Sequence, residues 1–530
     1  MPTNLRDALL DGLKTLPGTR EFHLHVLVSS PRKHAGLYPY SQPRCRSYLQ
    51  DVLVLVSEQT TPDSPRIFVT AIEACVYNVT ATSSAILYIS KVDSTGQGSS
   101  PSPTATLVRS FLLYYADPTT RPITVDHLWI QLFARAQNQY LFPNSSDFPG
   151  KRPLSDVKLC GWWKRVFTSV ATELKPQLPE RALVQLYYLI PGYSQLEADH
   201  SLKIAASPST SHDTLSWTYS HPYSQTDIPL PCPPDRHGSS STNTACRNLG
   251  TFIPSFDDDP KSRFIDEIAY ITEKEGIKSP PRKRARTTSS AADSRVPSND
   301  TNKSEDTPAK PPGELGKVTP DEFWERMSFR QECVAGAATG FFTMGISIPI
   351  QSGEIDGEAG STRSSVSPLA PQPGQVSSNL NKRVITSLMT AVEFSTAERA
   401  INATETIESA IKGLCEGITV TPMPVIQAPR PRTAKIERAQ THDTPVLLEP
   451  PRTPPPRNRE ASLPDISPNP FPEPEPTLET YNMFIYGSIC VSNAPTNQNN
   501  STSPNGAKET VTSVPQVTVL TARKKKKRAE

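Results

Sequence analysis

Several short clusters in this chain bring together side chains able to do more than fill a core. In FDDDPKSRF (256–264), the acids Asp257, Asp258 and Asp259 run into Pro260 and Lys261. Neighbouring carboxylates can exchange a proton or attract a basic substrate, although a solvated helix start uses the same residues. SKVDSTG (90–96) places Asp93 and a glycine turn at the exit of a strand-like run, and NQYLFPNSSDFPGKRPL (138–154) carries Tyr140, Lys151 and Arg152 between two elements. The adjacent Trp162 and Trp163 offer flat apolar walls. His23 and His25 alternate along one strand, but no third residue stands at metal-ligand spacing, so a half-exposed strand face explains them.

These clusters need a scaffold. Leu5, Ala8, Leu9 and Leu13 follow helical spacing, and Phe22, Leu24, Val26 and Val28 alternate as in a strand. Further strands are expected at 51–58, 66–79 and 85–90. A helix is expected from Thr124, with Val125, Leu128, Trp129, Leu132, Phe133 and Ala136 on one face. Another follows Ser155 and carries the tryptophan pair. Capping boxes at Thr319–Glu322 and Ser395–Glu398 open two more, the second running to about Cys415.

The 530 residues include 55 prolines, only 36% are apolar, and Lys and Arg exceed Asp and Glu by a net +2. Part of the chain therefore cannot bury enough surface to fold, and any nucleic-acid contact needs a local basic patch. Disordered inserts are expected at 278–316 and 355–380. Residues 421–480, with 16 prolines in 60, read as an extended linker. The last segment, 481–530, holds the apolar island YNMFIYGSICV, read as an extra strand or a partner-binding segment, and a basic tail. The start lacks a signal-peptide core and no apolar run reaches about 18 residues, so a soluble, non-secreted protein without a membrane role is expected. The eight cysteines form no CxxC pair, which fits reduced thiols and no metal cluster. Neither a P-loop, a dinucleotide-binding glycine motif, a GxSxG elbow nor HExxH is present.

In order along the chain, SKVDSTG, QYLFPNSS (139–146), Trp162-Trp163, IPG (190–192), FDDDPKSRF, FW…RQE…MGIS (323–347) and a terminal VTVL followed by RKKKKR (517–528) resemble the fungal histone H3 lysine acetyltransferase family of the regulator-of-Ty-transposition type. Its catalytic domain is similar to the metazoan CBP-type acetyltransferases. The resemblance implies a mixed α/β (α+β) fold with a central mixed sheet surrounded by helices, an acetyltransferase domain over 1–420, and acetyl-CoA as co-substrate with no metal. It also implies newly made H3–H4 as substrate, acetylated at a core lysine of the αN helix and at tail lysines. Histone chaperones of the NAP family and anti-silencing type are the implied partners, and the implied role is in nuclear chromatin assembly and the DNA damage response. Arg282–Arg286 suits nuclear import, and Arg523–Arg528 suits import, weak DNA contact or chaperone binding. The alternative is a non-catalytic chromatin scaffold that recruits partners through these basic and proline-rich segments.

Carried over by position, the resemblance implies Asp93 at the substrate edge, Tyr140 and Trp163 along the lysine channel, and Asp258 and Asp259 beside the cleft. Lys261 is the implied autoacetylated lysine. Cofactor contacts are implied at Val92, Asp93, Ser94, Ala105, Thr106, Leu107, Val108, Arg109, Phe133, Gln137, Arg152, Pro153, Leu154 and Trp162. Lys151 and Arg152 suit cofactor phosphates. A free lysine has a pKa of about 10.4, so baring its amine at pH 7 costs about 4.6 kcal/mol. A positioned carboxylate supplies about 3–5 kcal/mol. Asp259 is the expected proton acceptor, with Asp258 and Asp93 next.

Overall fold

The computed structural model describes residues 4–41, 44–205, 215–232, 248–270, 313–330, 338–348, 372–416, 474 and 476–494. All of these except Ala494 lie in one unit, Met1–Asn493, built on a mixed sheet of eleven strands. The strands are β1 (Gly18–Ser29), β2 (Arg32–His34), β3 (Ser47–Gln59), β4 (Ile67–Val79), β5 (Ser84–Ser94), β6 (His127–Ala134), β7 (Leu183–Leu189), β8 (Trp217–Tyr219), β9 (Gly340–Ser347), β10 (Gln375–Val376) and β11 (Tyr486–Asn493). Their order is β10-β1-β3-β4-β5-β6-β9-β7-β8, with β11 on β1 and β2 on β3. The helices are α1 (Leu5–Leu13), α2 (Thr104–Ala116), α3 (Asp156–Leu174), α4 (Gln195–Ala205), α5 (Pro260–Tyr270), α6 (Pro320–Met327), α7 (Ser378–Thr390) and α8 (Ala397–Cys415).

Strand alternation sends apolar side chains to both faces of the sheet. On β3, Val52, Val54 and Val56 join the core beneath α1, α2 and α3. Leu53 and Leu55 join a second core with α7 and α8. A third cluster seats α5 and α6 against Tyr77, Tyr88 and Trp129. The expected mixed sheet surrounded by helices is therefore present, and α1, α3 and α6 stand where their spacing and caps predict. The cap of α8 is Thr396, whose side chain accepts from the Arg399 amide, rather than Ser395.

One expected helix is a strand. Residues 127–134 form β6, parallel to β5 on one side and antiparallel to β9 on the other. The helical spacing of 125–136 arises because a central strand is apolar on both faces. Leu128, Ile130, Leu132 and Ala134 enter one core, while Trp129 and half-buried Phe133 enter the other.

The histidine face is also covered rather than half exposed. A π-helical turn, Tyr481–Ile485, and β11 close over it, so that His23 Nδ1 meets the Tyr486 hydroxyl at 2.9 Å and His25 Nε2 the Tyr481 hydroxyl at 3.1 Å. Within 481–491, the first five residues are this turn and 486–491 lie in β11. Burial, then the charges of Arg66 and His23, push the His25 pKa down to about 3. The unfolded chain takes up this proton near pH 6.5 and the folded chain does not. Stability is therefore complete above that pH and falls by about 1.4 kcal/mol per pH unit as pH drops toward 3. His25→Phe should flatten the acid side of a urea-midpoint profile by that slope.

The inserts, the linker, Gln331, Glu332, Arg282–Arg286, VTVL and the basic tail lie wholly or mostly outside the described residues. Where their edges are described, 375–376 is strand, 378–380 opens α7 and Leu478–Thr480 is a helical turn.

Candidate active site

The site begins where two parallel strands part. β5 and β6 pair from Ser84–His127 to Ile89–Leu132, and the β5 edge facing β6 carries no ladder bonds beyond that point. The divergence coincides with a bulge. Glu73 of β4 faces Lys91 while Ala74 faces Ile89, so Ser90 is an extra residue that bends β5. The wedge between the strand ends is a cleft of about 350 Å³, within the range of small-molecule sites.

Two loops close one wall. The Asp93 carboxylate accepts from the amides of Tyr140, Leu141 and Phe142 at 2.7, 2.8 and 3.1 Å, from its neighbour Ser94 at 2.8 Å, and from Lys151 Nζ at 2.9 Å. Gly96, at φ +77°, lies so close to Lys151 that a Cβ would sit 2.5 Å from its Cα. This contact explains the pairing of STG with GK in the two motifs. Asp93 thus binds the 139–146 turn and the Lys151 loop to β5. Its acceptors are occupied, so its place is that of a positioning residue. Lys151 is likewise committed, to Asp93 and to Ser145 Oγ at 2.7 Å, and is not free for phosphate.

Of the residues expected from the sequence, Val92, Asp93, Ser94, Ala105, Phe133, Gln137, Tyr140, Arg152, Pro153, Leu154, Trp162 and Trp163 line this cleft. Thr106, Leu107, Val108 and Arg109 do not. Only the first turn of α2 reaches the cleft, and the helix then turns Leu107 and Val108 into the core while Arg109 pairs with Glu173. The start of α2 has no side-chain cap. Trp162 and Trp163 meet edge to face at 4.6 Å. The Tyr140 hydroxyl donates to the Arg135 carbonyl and accepts from the Gln137 amide at 3.0 Å. Burial, opposed by that amide bond and aided by Asp93, pushes its pKa up to about 12, so it is a neutral phenol.

Two further cations that line the cleft, Arg135 and Lys91, were not expected. Arg135, at the end of β6, and Arg152 are exposed cations at the mouth, and neither guanidinium makes a hydrogen bond or ion pair among the described residues. Such free guanidinium groups fit phosphates. Lys91 bridges Glu73 at 2.7 Å and Asp258 at 3.5 Å.

The acidic run lies beyond Lys91 rather than on the cleft wall. Asp258 is open to solvent, its side chain 68% exposed. Asp259 is fully buried, accepts from the Lys261 amide at 2.9 Å at the start of α5, and is ion-paired with the Lys261 ammonium. That ammonium sits over the Phe341 ring at 5.0 Å, and Phe341 makes a tilted contact at 4.8 Å with Phe133, which lines the cleft, so two aromatic rings lie between Lys261 and the cleft. The three acids expected as proton acceptors are therefore unlike one another: Asp93 is saturated, Asp259 is sealed and Asp258 is accessible. Among the described residues no group of acids, histidines and cysteines is arranged to hold a metal, and no helix is long and apolar enough to cross a membrane.

Comparison with known proteins gives consistent matches. Residues 118–410, more than half of the chain, match the family model of the histone acetyltransferase KAT11-type domain. The histone acetyltransferase rtt109 of Aspergillus flavus is 29% identical over 367 residues, covering 63% of this chain and 55% of that protein. The histone acetyltransferase rtt109 of Schizosaccharomyces pombe is 23% identical over 353 residues, covering 65% and 71%. The chain thus spans little more than half the length of the first of these. The crystal structure of Rtt109 from Aspergillus fumigatus has the same fold, with a TM-score of 0.53 at 23% identity over 77% of this chain and 95% of that one.

Proposed function

The chain belongs to the histone acetyltransferase KAT11-type domain family, and on that premise we propose that it transfers acetyl groups from acetyl-CoA to lysines of histone H3 within H3–H4. The observation that carries this reading is the splayed cleft between β5 and β6, walled by Tyr140, Trp162 and Trp163 and edged by two free arginines. The residues suit the co-substrate: strand edges without ladder partners for its amide groups, and Arg135 and Arg152 for its phosphates. Bound there, it would supply an activated acetyl thioester.

The rest is the protein's work. The aromatic walls hold an aliphatic lysine stem and exclude water. The amine must be bared, and Asp258 is the accessible one of the three expected acids, tied to the cleft residue Lys91. Asp259 enters only when its partner Lys261 loses its charge, which is the role proposed for autoacetylation of Lys261. Asp257 and Asp258 also attract the basic substrate. We further propose that the protein works in the nucleus on newly made H3–H4 delivered by NAP-family or anti-silencing chaperones, in chromatin assembly and the DNA damage response.

The test is label transfer from radioactive acetyl-CoA to H3–H4, with and without a histone chaperone. Transfer to H3 that is lost in folded Trp163→Phe and Asp258→Asn proteins supports the reading. No transfer under any chaperone condition from a folded protein moves it to the non-catalytic scaffold. Replacing both mouth arginines, Arg135→Gln with Arg152→Gln, should raise KM for acetyl-CoA about tenfold with kcat unchanged, since each charge-assisted bond is worth about 1.5–3 kcal/mol before solvent screening. The KM effect should shrink at high salt.

A further inference from the structure

Three lysines surround the cleft, and they differ in what an acyl donor bound there could reach. Lys151 lines the wall, but its side chain is only 5% exposed and is locked between Asp93 and Ser145. Lys261 is 4% exposed and lies behind Phe341 and Phe133. Lys91 lines the cleft with a side chain 26% exposed. It stands immediately after the bulge at Ser90, on the strand segment that has left β6. Its Nζ has one carboxylate at 2.7 Å and a second, solvent-facing one at 3.5 Å.

We propose that Lys91 is a site of self-acetylation, the chain's own lysine held where an acetyl thioester would be presented. The inference rests on the acetyl-transfer reading. In the step, the Lys91 ammonium gives one proton to Asp258. The freed amine attacks the thioester carbonyl, a C–N bond forms and the C–S bond breaks. The departing thiolate takes the second amine proton and leaves as thiol, so atoms and charge balance with the thioester as the sole co-reactant. Burial lowers the Lys91 pKa, but Glu73 and Asp258 together outweigh it and hold the ammonium above its ordinary range. The reaction is therefore slow at neutral pH and quickens as pH rises. Its product has no charge, so Glu73 loses its cross-strand partner and Asp258 its tether. Modification would thus change the acid at the mouth of the same cleft.

The experiment incubates the full chain with acetyl-CoA alone, then maps acetylated lysines by peptide mass spectrometry over time. Exposed Lys158 serves as an internal reference for non-specific acylation. Lys91 should gain acetyl at least about tenfold faster than Lys158, as proximity requires. Its rate should be independent of protein concentration and suppressed by excess CoA, whereas the Lys158 rate should not respond to CoA. The pattern should persist in Lys261→Arg, which excludes relay through that residue. Lys91→Arg, which keeps the charge, should lose the acetyl signal at this position. If histone H3 is acetylated while Lys91 is not, or gains acetyl no faster than Lys158, this inference is overturned and the functional reading stands. If neither is acetylated, both fail.

Discussion

Asp93→Ala should cost about 3–5 kcal/mol of folding stability, because it removes one partner of a buried ion pair and leaves the Lys151 ammonium without its counter-charge. It also orphans the amides of residues 140–142, so cleft and stability should be lost together. Lys151→Met should cost less, about 1–3 kcal/mol, since the Asp93 carboxylate keeps four amide donors. Urea denaturation of both variants measures this asymmetry. An acid that only took up a proton would lose rate on substitution and keep its urea midpoint. Equal stability in Asp93→Ala and wild type would return Asp93 to the list of proton acceptors.

The second large effect concerns Asp259 and Lys261, buried partners with no solvent to stand in for either. Each of Asp259→Asn and Lys261→Met should cost about 3–5 kcal/mol. The two losses should be similar, because asparagine at 259 keeps an oxygen that accepts from the Lys261 amide and so retains the cap of α5. The double variant should be more stable than the sum of the two predicts, by at least about 2 kcal/mol of coupling. A double-mutant cycle in urea reads that number, and additive losses would mean the pair is not coupled as described.

How much of this was legible beforehand depends on where each residue sits. The motifs near 90–96, 139–146 and 162–163 do converge on one cleft, because Asp93 physically ties the first two. The cofactor positions along α2 were only partly right: one turn of helix separates Ala105 at the cleft from Val108 in the core. Taking β6 for a helix hid Arg135, since the open C-terminal end of a strand is what presents it. The signal was available in the period-two division of Leu128, Ile130 and Leu132 from Trp129 and Phe133. Lys91 could have been found as well, two residues before Asp93 on an alternating strand. The burial of Asp259 could not, because its partner Lys261 packs on Phe341, which reaches this place by pairing with Phe133, over 200 residues away in sequence.

The last strand carries a consequence for synthesis. Arg6 of α1 donates to the carbonyl of Asn482 at 2.8 Å across 476 residues, and β11 zips onto β1 from Gly18–Asn493 to His25–Tyr486. While the ribosome makes everything between, the first strand waits with one hydrogen-bonding edge open and its two histidines uncovered. That edge is a template for another chain, and such a wait exposes the nascent protein to holding factors and proteases. Only when residue 493 has emerged can the belt be fastened, so a product stopped short of it is marked for disposal by its own unfinished edge.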